Sequence, residues 1–369
     1  MRIVYDYQTF CMQEFGGISR YFCELSANLS RRDGIQTEIL APLHRNEHAS
    51  ARGVPTRGRR THLGPRAAVP LCAIDWLALA ALRPPAVDIL HETYFQTLPT
   101  PVRCKARIVT VYDMIHELFP SQFGRGDTTS LKKRRAVARA DHVLCISHNT
   151  AKDLVRLFSV PERKVSVVHL GYFRPGISAQ ERAPRPAPAS PFVLFVGQRA
   201  GYKNFDLLLR AFAASTKLSK DFSIVCFGGG ALSSAERALI AELGIDRSRV
   251  RQQGGTDAAL ERLYLEATAF VYPSRYEGFG LPPLEAMWLD CPVVSGNASS
   301  LPEVVGDAAR LIDPTSVDDL RAGLEDVCYD SALRDELVRR GREQARKFSW
   351  DRCADETLAV YRRALESRS

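Results

Sequence analysis

Residues 269–288 read A-F-V-Y-P-S-R-Y-E-G-F-G-L-P-P-L-E-A-M-W. An apolar, β-branched run ends at Tyr272, a Gly/Pro-rich loop follows, and a helical pattern begins near Pro282–Pro283. A strand, a glycine loop and a helix N-terminus form an anion-binding arrangement, because free backbone N–H groups converge there. Glu277 and Glu285 stand eight positions apart across the loop. Two carboxylates beside an anion site suit a ligand carrying both phosphates and hydroxyls, as a nucleotide-sugar does. An ordinary βα turn with surface acids is the plainer alternative for this stretch taken alone.

Working outward, two further loops are predicted at the ends of strands in the same half. Residues 193–204 read V-L-F-V-G-Q-R-A-G-Y-K-N, with a strand ending at Gly197 and Arg199 and Lys203 four apart before a helix. Cations at the carboxyl end of a parallel strand can neutralise a diphosphate directly. The stretch has neither the G-x-G-x-x-G spacing of a dinucleotide fold nor the Gly-Lys-Ser/Thr of a P-loop. Phe227–Gly230 is a strand end followed by three glycines, where a flat ring or phosphate can approach the backbone. Following three strands of one sheet, the three loops share one rim.

Strand-like runs alternate with helix-like segments almost throughout, the pattern of an α/β protein with parallel sheets. First-half strands are predicted at Arg2–Tyr5, Thr37–Ala41, Asp88–His91, Ile108–Tyr112, His142–Ile146 and Val165–His169. Thr150 with Asp153 reads as a capping box, as does Ser300 with Glu303. Arg174–Pro191 holds five prolines and reads as an interdomain linker. The predicted domains are therefore 1–173, a linker 174–191, a second domain 192–348 and a terminal amphipathic helix within 349–369 that packs back on the first. Two doubly wound halves place ligands at the carboxyl ends of strands, facing an interdomain cleft.

At 369 residues the chain suits two domains. Nine cysteines without a C-x-x-C pair sit mostly in apolar runs, as buried thiols in a reducing compartment do. A strand already begins at Ile3, so no secretory leader is expected, and a cytoplasmic location follows. The most apolar stretch, Ala68–Leu82, is interrupted by Asp75 and reads as a buried or interfacial helix rather than a membrane span. Residues 1–190 carry 27 Lys and Arg against 16 Asp and Glu, whereas the remainder carries 23 against 26. The basic excess concentrates at Arg45, Arg52, Arg57, Arg59, Arg60 and Arg66 and at Lys132–Arg135. Nucleic acid is disfavoured as its partner, because aromatics are not interleaved and no nucleic-acid module is present. An anionic membrane surface, an acidic substrate or a plain solvated face remains.

Together, residues 193–204, P-S-R-Y-E-G-F-G-L-P-P-L-E-A-M and N-A-S-S-L-P-E-V-V-G-D-A-A resemble retaining glycosyltransferase family 4, of GT-B architecture. In the first half, F-G-G-I-S-R-Y (Phe15–Tyr21), D-H-V-L-C-I-S-H-N-T (Asp141–Thr150) and V-H-L-G (Val168–Gly171) agree, so the resemblance covers nearly all the chain. It is strongest toward bacterial mannosyltransferases of O-antigens and exopolysaccharides. The resemblance implies that Glu277 faces the donor sugar, with Tyr276, Gly278 and the amides of Phe279, Gly280 and Leu281 around sugar or phosphate. It implies that Glu285 accepts from the ribose hydroxyls and that Arg199 and Lys203 hold the diphosphate, beside Gly197, Gly228 and Gly229. Gly17 would let amides reach that phosphate, and His116 would line the acceptor or sugar pocket.

Two departures stand out. Tyr112–Asp113 replaces a usual His-Asp, which leaves the sugar-side position between Tyr112 and His116. Asp290 stands where a glycine is usual and must avoid or tolerate that glycine's backbone geometry.

The implied activity is transfer of a hexose, mannose from GDP-mannose, to a lipid-linked saccharide acceptor, with retention, without a metal and without a cofactor. A peripheral contact with the anionic inner membrane would fit the basic first half. Alternatives are a UDP-sugar-dependent transferase of the same fold and a non-catalytic nucleotide-sugar-binding protein. An epimerase and a hydrolase with a paired acid and base are weaker readings.

Overall fold

In the computed structural model, residues 1–51, 54–172, 190–199 and 201–367 are described. Residues 174–189 of the proline-rich stretch and Arg52 therefore lie outside the described residues. The chain forms two compact units, Met1–Gly171 with Ser349–Ser369, and Tyr172–Phe348.

The first unit holds β1 (Arg2–Asp6), β2 (Gln36–His44), β3 (Thr56–Arg60), β4 (Val87–Glu92), β5 (Cys104–Val111), β6 (His142–Cys145) and β7 (Val165–Val167). The second holds β8 (Phe192–Val196), β9 (Ser223–Phe227), β10 (Val250–Gln253), β11 (Ala269–Tyr272), β12 (Val293–Gly296) and β13 (Ala309–Ile312). Every neighbouring pair is parallel, in the orders β3-β2-β1-β4-β5-β6-β7 and β10-β9-β8-β11-β12-β13. Each sheet is thus doubly wound, as the alternation of segments predicts. Each reverses direction once, between β1 and β4 and between β8 and β11, and ligands of such sheets bind beyond the carboxyl ends at that reversal.

The central strands of the second sheet are apolar on both faces because helices cover both. Phe195, Ile224 and Val271 pack with Phe205, Leu208 and Phe212 of the helix Phe205–Ala213, all without exposed surface. Each such side chain contributes about 1.5–3 kcal/mol on burial, which fixes where the strands end and hence where the loops begin.

Several expectations are corrected. The helix containing Thr150 begins at His148, and its N-cap is Ser147, whose hydroxyl accepts from the Thr150 amide. Ser300 is the N-cap residue of a helix, but its side chain makes no cap hydrogen bond; its hydroxyl donates to carbonyls of the opening loop instead. A reciprocal capping box exists at Ser233 and Glu236. Two edge strands, β3 and β13, were not expected. The basic cluster is also partly internal. Arg45 is buried against Glu14, and Lys133 is buried with its ammonium 2.7 Å from Glu117.

Chain order and packing diverge at the terminus. The helix Trp350–Glu366 belongs to the first unit, where it packs on the helix Gly17–Leu29 and on β5. Its Tyr361 hydroxyl lies 2.6 Å from His91 Nδ1, and His91 Nε2 lies 2.8 Å from the Thr110 hydroxyl. Burial pushes the His91 imidazole down to about 3, so this histidine is neutral.

Candidate functional site

The three predicted loops leave β9, β8 and β11, which are adjacent in the second sheet and parallel. They therefore emerge side by side at one end of it. The loops are also tied together: the Arg275 amide donates to the Tyr202 carbonyl at 2.8 Å, and the Asn204 side-chain amide donates to the Pro273 and Pro314 carbonyls. Asn204 adopts φ 63°, a left-handed conformation that asparagine tolerates better than most residues.

Lys203 and Glu277 meet directly. The ammonium is 2.7 Å from Glu277 Oε1 and 2.9 Å from the Tyr272 hydroxyl. The lysine and glutamate side chains are only 16 % and 9 % exposed, so water screens the pair weakly. Burial and the adjacent Glu277 carboxylate push the Tyr272 phenol well above its usual range, which keeps it neutral. The cluster is a charge-balanced triad in which the cation can turn to an incoming anion and the carboxylate to an incoming hydroxyl.

Behind it, the loop Tyr276–Gly280 is buried. The Glu277 amide donates to the Ser299 hydroxyl, which donates to the Glu277 carbonyl at 2.6 Å. Ser300 donates to the carbonyls of Glu277 and Phe279. Phe279 packs edge-on against Phe348. Gly280 caps the helix Leu281–Trp288 at φ 118°, where a Cβ would come within 2.9 Å of Leu301. Pro282 and Pro283 follow and bring no N–H, so the donors of this turn come from residues at and before Leu281. Glu285 lies one turn inside the helix, half-buried, with the Tyr264 hydroxyl 3.4 Å from Oε2.

Arg199 is bonded elsewhere than the resemblance implies. The expectation places it on a diphosphate, but its side chain is 3 % exposed and its guanidinium faces inward. It donates to the carbonyls of Gly228, Gly230 and Ala231 at 2.9–3.0 Å and to Glu236 Oε1 at 2.8 Å. Burial acts upward on Glu236, yet the Ser233 amide and Arg199 together hold its carboxyl below the usual range. Arg199 thus staples the glycine turn, whose three glycines run at φ 83°, 67° and 72°. At Gly229 a Cβ would also lie 2.8 Å from the Gly197 carbonyl, so no side chain fits. Nothing local in the sequence marks this staple, because its partners, main-chain oxygens and the Glu236 carboxylate, lie about thirty or more positions away.

Asp290 tolerates the glycine geometry: it adopts φ 59° and forms a two-pronged ion pair with Arg342 at 2.8 and 2.9 Å.

In the first unit, Gly17 opens the helix Gly17–Leu29 with open space where a side chain would stand. Tyr112 donates its hydroxyl to the Thr93 carbonyl at 2.8 Å and is buried. His116 instead stacks on Phe123, with ring centroids 4.0 Å apart, and places Nε2 3.7 Å from Asp127. It lines a cavity of about 710 Å³ with Glu117, Arg125, Asp127 and Arg134. Among the described residues, no three His, Cys, Asp or Glu side chains are grouped as metal ligands.

Comparison with known proteins bears directly on this geometry. Residues 15–172 match the family described as "Glycosyltransferase Family 4", and residues 178–344 match "Glycosyl transferases group 1". The O-antigen chain mannosyltransferase B of Escherichia coli is 30% identical over 71% of this chain and 71% of its own length. The D-inositol 3-phosphate glycosyltransferase of Saccharomonospora viridis is 30% identical over 96% of this chain and 90% of its own. The sucrose-phosphate synthase of Thermosynechococcus elongatus superposes with a TM-score of 0.74 at 20% identity, covering 100% of both chains, and so shares the fold.

Proposed function

The chain belongs to the GT-B glycosyltransferases, with a family 4 domain followed by a group 1 domain, and from that premise we propose that this hexosyltransferase moves mannose from GDP-mannose onto a lipid-linked saccharide acceptor, with retention at the anomeric carbon. The observation that carries the reading is the Lys203–Glu277 pair on the rim. A nucleotide-sugar offers it an anion and a hydroxyl at once. Lys203 then takes the diphosphate, Glu277 takes a sugar hydroxyl, and Glu285 takes the ribose hydroxyls. Arg199 shapes the glycine turn beside them and acts as a positioning residue.

In this mechanism the bond between the anomeric carbon and the diphosphate oxygen breaks while positive charge grows on the sugar. Lys203 and the amides before Leu281 stabilise the departing anion, a kind of contribution often worth about 3–4 kcal/mol. The acceptor oxygen bonds to the anomeric carbon on the face the diphosphate leaves, and the acceptor proton passes to the departing diphosphate oxygen. Glu277 orients the sugar and does not act as a nucleophile. His116 faces the acceptor within the first unit's cavity. No metal takes part in this scheme, so a chelator is expected to leave turnover unchanged.

The mannose assignment is supported by mannosyltransferase relatives. The experiment is a comparison of melting midpoints with GDP, UDP, ADP and dTDP, followed by transfer assays with the matching donor. A ligand that binds only the folded state raises the midpoint. A rise with GDP alone and transfer of mannose are expected. A rise with UDP alone replaces the donor, and binding of every donor without transfer to any saccharide rejects the enzymatic reading.

A further inference from the structure

The helix Ala68–Leu82 in the first unit is built inside out. Its one residue of a charged type, Asp75, has no exposed surface, accepts from the Leu43 amide at 2.8 Å and lies 3.3 Å from the Cys11 thiol. Leu71 and Leu79, one turn to either side, complete the inward stripe that packs on β2. The outward face carries no polar residue: Val69 is 79 % exposed, Ile74 47 %, Leu77 62 % and Leu82 73 %. A helix covering a soluble domain puts charges on its outer face, and contiguous exposed apolar surface marks a place where something else binds. The patch continues beyond the helix, because Val69, Trp76 and Leu77 line a groove of about 620 Å³ with Met12, Leu98 and Lys132.

We propose that this face docks on an anionic bilayer, the helix lying in the interface with its outer side chains among the acyl chains. Charge selects the occupant. Between residues 54 and 86 the chain carries five arginines and no acid besides Asp75. Arg66 and Arg83 stand at the two ends of the helix, and Arg59 lies on the edge strand beside β2, all exposed. Anionic headgroups complement such cations at about 1 kcal/mol each near the surface. A two-fold contact with a second copy would set the same arginines against themselves. The helical stretch Pro65–Leu82 is long and apolar enough to span by composition alone, but Leu71, Asp75 and Leu79 are buried against the sheet and hold it to the first unit, so it lies on the surface.

The test is sedimentation of the full chain with phosphatidylcholine vesicles and with vesicles in which about a third of the lipid is phosphatidylglycerol. No sugar donor is present, so the result is independent of the donor reading. The wild type is expected to sediment with the anionic vesicles and to be released in part by salt. Ile74→Asn with Leu77→Asn is expected to lower binding about a hundredfold, from about tenfold per large apolar side chain. Arg66→Ser and Arg83→Ser are each expected to lower it about fivefold and to reduce its salt dependence. Val69→Ser, at the most exposed position, repeats the apolar test with the least risk to folding. Equal sedimentation with the two vesicle types overturns the proposal, as does a lipid-free dimer that the double variant disperses.

Discussion

The reversal points of the two sheets carry acids in opposite states. In the first unit, Asp6 ends β1 and Glu92 ends β4, and neither has any exposed surface. Asp6 accepts from Thr93 and Thr100, and Glu92 is clamped by Arg107 and Arg139 at 2.6 and 2.7 Å. Burial and the neighbouring Glu92 carboxylate push the Asp6 carboxyl upward. In the second unit, the ends of β8 and β11 carry a Lys203–Glu277 pair that retains some exposure. One architecture therefore yields a sealed polar network in one copy and an exchangeable ion pair in the other. A doubly wound sheet supplies the location, and the partners of its strand-end charges decide whether that location is structural or chemical.

The sharpest way to break this contrast is Lys203→Ala. Turnover is expected to fall about a hundredfold to a thousandfold in a steady-state transfer assay. Unchanged turnover would make the pair as structural as Glu92 and its arginines.

Arg199→Ala separates stapling from direct phosphate binding. It leaves carbonyls of the glycine turn and the Glu236 carboxylate without their partner, so a loss of about 3 kcal/mol is expected in urea denaturation without ligand. A lysine at the same position rescues little, having one nitrogen where the turn needs several. Reduced turnover at full stability would restore the direct role.

These two residues also mark how far the sequence could be read. Phe192–Val196, Ser223–Phe227 and Ala269–Tyr272 are strands that end within a residue of where the sequence places their ends, because buried β-branched and aromatic runs leave little choice of register or length. The shared rim follows from them. β3 escaped because T-R-G-R-R has no apolar alternation, as an exposed edge strand needs none. β13 escaped because A-R-L-I carries a charge and buries only Ile312 fully, whereas the equally short A-F-V-Y of β11 is apolar and wholly buried. Arg199 and Lys203 look alike four positions apart, yet one points back into its own turn and the other across to Glu277. That choice is made by folding of residues far along the chain. The Ala68–Leu82 segment was legible as apolar with one acid, but nothing local told which side Asp75 would face.

Glu285→Ala gives a smaller effect on the second unit alone. Affinity for the free nucleoside diphosphate is expected to weaken about tenfold by calorimetry, with the ligand-free melting midpoint unchanged. Unaltered affinity removes the ribose role.

The smallest expected effect belongs to the first unit. His91 titrates near 6.5 when unfolded and near 3 when folded, so between those values the unfolded chain binds the extra proton. Its stabilising contribution is complete above about 6.5 and is lost as the pH falls toward 3. From pH 7 to pH 6 the change is below about 1 kcal/mol. A His91→Gln variant should show a flatter dependence of melting on pH over that range, and identical slopes would place the titration elsewhere.

The helix Trp350–Glu366 also orders events during synthesis. A ribosome delivers Tyr361 after every residue of the second unit, although the partner of Tyr361, His91, left the exit tunnel long before. The first unit to emerge is therefore the last to be finished, with the Gly17–Leu29 helix and β5 lacking their cover until the helix Trp350–Glu366 emerges. It is expected to stay open for as long as the second unit takes to be made, and chaperone demand should be highest over that interval.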